Sequence, residues 1–328
     1  MDKEVVEKIC SEYGLPSFYE KGNLGGLSTI NSIIKVNRRE FVLKQYSEKN
    51  INKMEKIERI TFFLKGNNFP IAVPIRTNKG NYYVETHNLL FVLYPKINGR
   101  ILYENSLTEK SLVNTAMLLQ IFHTLGEKCS FSFEKNILSL HEFLQKAQDC
   151  KNIILNNTLG YEIDDLILSF INKKISIVKK GYRENFFKSE MQQNDLVHGD
   201  FHNENILYNL NDEIVCLLDF EEVHHGYGVE DLMKFIQLAC CNTGYQKDNL
   251  KKASIFLKAY LSKRFVKKET LIFYANCYMY HIASSFFFEK KLYLTKNIGL
   301  LDYIKRDLFK LSYLEQHADL FVEQLLSC

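Results

Sequence analysis

The chain has 328 residues, 46% of them hydrophobic and 25% charged, and carries a formal net charge of +3. That length suits a large domain or two lobes with a substantial core, and the composition is ordinary for a globular protein. No block of five or more like charges and no run of 18 or more apolar residues occurs, so neither a basic nucleic-acid-binding tail nor a membrane-spanning helix is expected.

The amino terminus, Met1-Asp2-Lys3-Glu4, has no apolar stretch of signal-peptide type and opens a short helix carrying Val5, Val6, Ile9 and Cys10 on one side. From Tyr19 to Tyr46 the pattern turns to β: Gly25-Gly26, then Ile30 to Val36, a turn at Asn37-Arg38-Arg39, and Phe41 to Tyr46. Residues 49–65 predict a helix with Ile51, Met54, Ile57, Ile60, Phe63 and Leu64 as its apolar stripe, ended by Gly66-Asn67-Asn68. Two strands are expected near 71–77 and 81–86, and Leu89–Tyr94 is an apolar run suited to a buried strand that Pro95 ends.

Beyond about residue 107 the periodicity is helical over 107–125, 138–155 and 161–180. A short β-rich island at 195–219 interrupts it. Helical patterns resume at 229–243, 247–264, 268–291 and 296–326, and with four prolines in the chain these helices are expected to run unbroken. The eight cysteines show no paired zinc-ligand spacing and read as reduced thiols of a cytoplasmic protein. The aromatic set Phe273, Tyr274, Tyr278, Tyr280 and Phe286–Phe288 reads as core, on a helix that could also line a substrate pocket.

The densest chemistry lies at 198–205, His-Gly-Asp-Phe-His-Asn-Glu-Asn, followed by Leu-Leu-Asp-Phe-Glu with its first acid at Asp219. An apolar strand leads into each segment, so the side chains project from tight loops on a rigid base. Phosphoryl transfer asks little covalent help of a protein. It needs an oriented acceptor hydroxyl and metal ions that offset charge on the β- and γ-phosphates. In that scheme Asp200 is the base or orienter, and Asn205 and Asp219 offer the oxygen ligands that hard Mg²⁺ prefers. A surface turn rich in His, Asn and Asp is the plain alternative for His-Gly-Asp taken alone.

The stretch 197–231 resembles the aminoglycoside phosphotransferase and choline kinase superfamily, small-molecule kinases with a protein-kinase-like fold. The residues that carry the resemblance are His198, Gly199, Asp200, Asn205, Asp219, Phe220, Glu221, Gly226 and Asp231-Leu232. It implies an α+β fold of two lobes, a β-rich nucleotide-binding lobe over 1–95 and a mainly helical lobe over 96–328 with the catalytic loop and acceptor site. It further implies that His198 and Asp231 support the loop, Asp231 from the start of a helix. Gly25, Gly26 and Ser28 would cover phosphates, although Gly-Gly alone is equally a plain turn. Lys44, in Val42-Leu43-Lys44, would pair with the α- and β-phosphates, and Glu58, or else Glu55, would be its acidic partner. Tyr94 and Lys96 fall in the adenine-binding hinge, and Gly99 is the glycine after it.

His202 matches a frequent loop residue and reads chiefly as a hydrogen-bonder, and His224 and His225 read as exposed loop residues. The resemblance implies ATP or GTP with Mg²⁺, a small-molecule acceptor, no nucleic-acid or membrane partner, and a monomer or weak dimer. A non-catalytic nucleotide-binding scaffold on the same fold is the rival reading. The intact set Lys44, Asp200, Asn205 and Asp219 speaks against it. A protein kinase is disfavoured because Gly199 replaces the usual Arg and no Ala-Pro-Glu follows Asp219.

Overall fold

The computed structural model describes residues 2–25, 29–46, 51–131, 133–134, 138–183 and 195–328. In chain order the elements are α1 (Lys3–Tyr13), β1 (Tyr19–Gly25), β2 (Thr29–Val36), β3 (Arg39–Tyr46), α2 (Ile51–Gly66), β4 (Val84–Thr86), β5 (Leu89–Pro95), α3 (Glu109–Leu125), α4 (Leu140–Asn156) and α5 (Tyr161–Arg183). There follow β6 (Asp195–Val197), β7 (Ile206–Tyr208), β8 (Ile214–Leu217), β9 (His224–Gly226), α6 (Val229–Phe235), α7 (Lys247–Leu261), α8 (Lys268–Ser284), α9 (Phe287–Thr295) and α10 (Leu301–Ser327). They form two compact units, Met1–Leu102 with Glu204–Val223, and Tyr103–Asn203 with His224–Cys328. The division therefore differs from the expected single boundary at 95/96. Residues 204–223 belong with the amino-terminal unit because β8 bridges Ile71 and Tyr208 bridges Arg100.

The first unit is built on an antiparallel sheet in the order β1-β2-β3-β5-β4. Asn37, at φ 54, makes the tight β2–β3 turn in the left-handed region that Asn tolerates. The two-residue period of β3 sorts its side chains to opposite faces. Leu43 joins Ile34, Phe91 and Leu93 against Val5, Ile9 and Tyr13 of α1. Tyr46 joins Leu90 and Val92 against Met54 and Ile57 of α2. Lys44 shares that second face, so a cation enters an otherwise apolar layer. Of the strands expected at 71–77 and 81–86 only β4 forms. Pro70 and Pro74 supply no backbone N–H there, and Ile75 makes a single bond to the Leu93 carbonyl, 2.7 Å.

The second unit is helical apart from the β6–β9 pair. The helix expected over 229–243 is α6 followed by a π-helical turn at Ile236–Cys240. The helix expected over 268–291 is broken between α8 and α9 without any proline. The break has a packing cause: Phe286 stacks on Phe143, centroids 5.4 Å apart, and the Lys174 ammonium takes the Ser285 carbonyl at 2.7 Å. Lys174 and Glu289 are both 2% exposed at their side chains and pair with each other, with the ammonium 4.5 Å from the Phe170 ring centre. Of the aromatic set expected as core, Tyr274, Tyr278, Tyr280 and Phe286 are buried, while Phe287 is exposed.

Removing one partner of a buried ion pair strands the other charge, at about 3–5 kcal/mol. Lys174→Met is expected to lower the thermal midpoint of the second unit sharply. The double change Lys174→Met with Glu289→Met is expected to recover most of the loss. Scanning calorimetry checks this; equal midpoints for single and double variants would contradict it.

Candidate active site

The loop following β6 is held from beneath by one carboxylate. Asp231, fully buried in the first turn of α6, accepts the His198 N–H at 2.6 Å and the Gly199 N–H at 2.9 Å. Its Oδ2 also lies 3.2 Å from His123 Nε2 on α3. The other ring nitrogen, Nδ1, lies 2.8 Å from the Tyr260 hydroxyl, so both ring nitrogens are engaged. The arrangement needs a glycine at 228: a Cβ there would stand 2.2 Å from His123 Nδ1. Gly228 is fixed in turn by Asp195, which accepts its N–H at 2.8 Å and an Arg264 N–H at 2.7 Å.

Gly199 turns the loop at φ 77, a left-handed conformation in which a larger side chain is strained. Asp200 follows, its own N–H donated to His198 Nδ1 at 3.2 Å. Its Oδ1 lies 3.0 Å from the Lys234 ammonium and its Oδ2 3.4 Å from His202 Nε2. Burial works to raise the Asp200 pKa, but Lys234 and His202 outweigh it and hold the carboxyl well below its usual range. Even so, 37% of its side-chain surface is open. A carboxylate fixed at both oxygens with one open side can receive a hydroxyl.

The remaining candidates lie in the first unit. Asn205 directly precedes β7, Asp219 follows β8, and the antiparallel register 206↔217 continues through Leu218 N–H to the Asn205 carbonyl at 2.8 Å. Register thus places Asn205 and Asp219 at the same open end of one hairpin. Asp219 has φ 63, a strained conformation of the kind that gathers at functional sites. Its Oδ2 is 3.1 Å from Lys44 Nζ, and Glu221 Oε1 is 2.6 Å from the same ammonium. Glu221 also binds Lys53 of α2. Burial disfavours the Lys44 ammonium, yet Asp219 and Glu221 more than offset that, and its pKa is raised. Glu221 is pushed up by burial and drawn down further by Lys44 and Lys53, so its pKa is lowered.

The acid expected to partner Lys44 is therefore not Glu58. Glu58 is 42% exposed at its side chain and faces Arg76 at 3.5 Å. The buried stripe of α2 runs through Met54, Ile57, Ile60, Thr61 and Leu64, and Glu58 lies off it, as does exposed Glu55. Tyr94, on β5, is beside this charge cluster; burial pushes its phenol up to about 12, with Lys44 pulling the other way. Lys96 is engaged with Glu40 at 3.1 Å. Gly25 ends β1 opposite Asn31, and Gly26 and Ser28 lie outside the described residues. Gly99 is a packing glycine: a Cβ there would stand 2.8 Å from Leu207 Cβ. His224 and His225, expected in an exposed loop, form β9; His224 is 5% exposed and 3.4 Å from Glu230.

Among the described residues no cluster of three or more His, Cys, Asp or Glu could hold a metal alone. One carboxylate and one amide, with the rest left to phosphates and water, is the donor set that suits Mg²⁺. Sequence reading gave no role to Lys53, His123, Asp195 or Lys234, and it named Glu221 as a motif residue without pairing it with Lys44. Lys234 had a signal: it stands three residues after Asp231, on the same helix face.

Residues 21–260 match the model of a family described as the phosphotransferase enzyme family. No curated protein sequence matches the chain. Solved structures with a similar fold include a microcompartment-associated aminopropanol kinase, 10% identical, covering 99% of this chain and 100% of that one with a TM-score of 0.69. An amicoumacin kinase in complex with AMP-PNP and Ca²⁺ is 14% identical over 97% and 93%, with a TM-score of 0.66. A spectinomycin phosphotransferase in complex with ADP and spectinomycin is 16% identical over 100% and 98%, with a TM-score of 0.62.

Gly228→Ala is expected to displace the His123 ring and lower stability by about 1–3 kcal/mol, the usual range for overpacking. Gly22→Ala, where a Cβ meets nothing within 4 Å, is the control. Chemical denaturation checks the pair; equal effects would contradict the close-approach account.

Proposed function

This chain belongs to the phosphotransferase enzyme family, and from that premise we propose that it moves the γ-phosphate of ATP or GTP to a hydroxyl of a small polar molecule. The observation that carries the reading is Asp200, a carboxylate kept ionised, held at both oxygens and still partly open. In this role Asp200 aligns the acceptor hydroxyl and takes its proton as the new oxygen–phosphorus bond forms and the bond to the nucleoside diphosphate breaks. Lys44 would neutralise the α- and β-phosphates. Asp219 and Asn205 would hold Mg²⁺, which supplies charge stabilisation on the transferring phosphoryl group. Glu221 keeps Lys44 in place from the same motif that carries Asp219. Tyr94 borders the ammonium from β5, where the adenine-binding segment is expected.

Three similar folds are named for kinases or phosphotransferases of spectinomycin, amicoumacin and aminopropanol. Those names make hydroxylated antibiotics and small amino alcohols the first acceptors to try, with choline, ethanolamine, homoserine and sugars after them.

Asp200→Asn is expected to lower turnover by about 10²–10⁴-fold, the range for loss of a positioned acid–base group, with nucleotide affinity kept within a few-fold. A radiolabelled-phosphate assay over that acceptor panel reads it, and wild-type turnover in the variant would refute the base assignment. Asp219→Ala is expected to abolish Mg²⁺-dependent nucleotide binding by calorimetry; an unaltered affinity would remove Asp219 from the metal site.

A further inference from the structure

Lys234 has a position that a helix-surface lysine does not need. It lies in the last turn of α6 and is 8% exposed, although a lysine stem can normally carry its ammonium out to water. Here the ammonium turns inward. It donates to the Gly199 carbonyl and stands 3.0 Å from Asp200 Oδ1. One lysine thus grips the loop at a backbone oxygen and, one residue on, at a side-chain oxygen. Asp231, three residues earlier on the same helix, grips the two N–H groups of the same turn. A single helix therefore fixes the loop through an anion below the N–H groups and a cation beside the carboxylate.

We infer that Lys234 is a positioning residue for Asp200, fixing one carboxylate oxygen and keeping the group charged while its open side receives the acceptor hydroxyl. The inference rests on the reading of Asp200 given above and adds a device to it. A nearly buried ammonium loses its counter-charge when Asp200 takes a proton, and that state is unfavourable. Lys234 therefore opposes early, complete proton transfer. Asp200 acts first as an aligner of the hydroxyl, and the proton moves onto it as phosphoryl transfer advances. This suits a reaction with a loose transition state, in which the nucleophile needs little prior activation.

Among the described residues, His202 and His198 lie beside Asp200 on its own loop, and Tyr278 of α8 interacts with it electrostatically. Burial pushes the Tyr278 phenol well above its ordinary value, and Asp307 and Asp200 add to the rise. Tyr278 is thus neutral and brings no charge to compete with Lys234. The imidazole of His202, at 3.4 Å from Oδ2, is a second donor that cannot substitute at Oδ1.

The test is a carboxyl-carbon NMR titration of the full chain labelled at aspartate, with the Asp200 signal identified by its loss in Asp200→Asn. It needs neither nucleotide nor acceptor. Wild-type Asp200 is expected to stay ionised below the ordinary aspartate range, because Lys234 and His202 favour its charged form. Lys234→Met is expected to raise its proton affinity at least tenfold, and Lys234→Arg to stay within about threefold of wild type. Because the Gly199 carbonyl also loses its partner in the Met variant, Lys234→Gln, which keeps a donor and drops the charge, is titrated beside it. A wild-type midpoint in the Met or Gln variant overturns the inference, as does a wild-type Asp200 that titrates in the ordinary range. Failure of the kinase reading shows elsewhere, as wild-type turnover in Asp200→Asn.

Discussion

An ammonium placed on the buried face of a β-strand must be matched by acids. Lys44 stands in that position, and the face it shares is otherwise Tyr46, Leu90, Val92, Met54 and Ile57. Desolvation alone would drive it to the neutral amine. Asp219 and Glu221 prevent this, and Glu221 holds Lys53 of α2 as well. Strand, hairpin end and helix are therefore tied through one charge cluster. Asp219, which supplies one of these acids, has φ 63, a strained conformation.

A second buried charge organises the helical unit. Asp231 makes the turn at His198-Gly199 possible, because two consecutive N–H groups pointing one way need an anion to receive them. His123, Tyr260, Asp195 and Arg264 then fix Asp231 and the glycine that lets His123 approach. The chain passes between the two units from Asn203 to Glu204, inside the motif itself, and back again after Val223. Asp200 lies in the helical unit, and Lys44, Asn205 and Asp219 lie in the sheet unit.

The sheet, the helices and the order of the motifs were legible because they are written in local periodicity and spacing. Lys44 in an apolar strand was conspicuous for the same reason. The partner of Lys44 was not legible. Glu58 has suitable spacing on the helix, but which face of α2 meets the sheet is set by Met54, Ile57 and Leu64, and that face excludes it. Glu221 takes the place from more than 170 residues away in sequence, a pairing no window can reveal. The break between α8 and α9 was hidden because Lys174 and Phe143, not a proline, cause it. The missing strand at 71–77 was the reverse case: Pro70 and Pro74 signalled it in the sequence.

Lys44 is held by the motif acid Glu221 and not by a helix acid, and under the proposed function that pairing readies it for phosphate. Calorimetric titration of Mg²⁺ and AMP-PNP into Glu221→Gln and Glu58→Gln tests it directly. The account predicts affinity weakened at least tenfold in Glu221→Gln and wild-type affinity in Glu58→Gln. The opposite pattern, with Glu58→Gln impaired and Glu221→Gln intact, would contradict it.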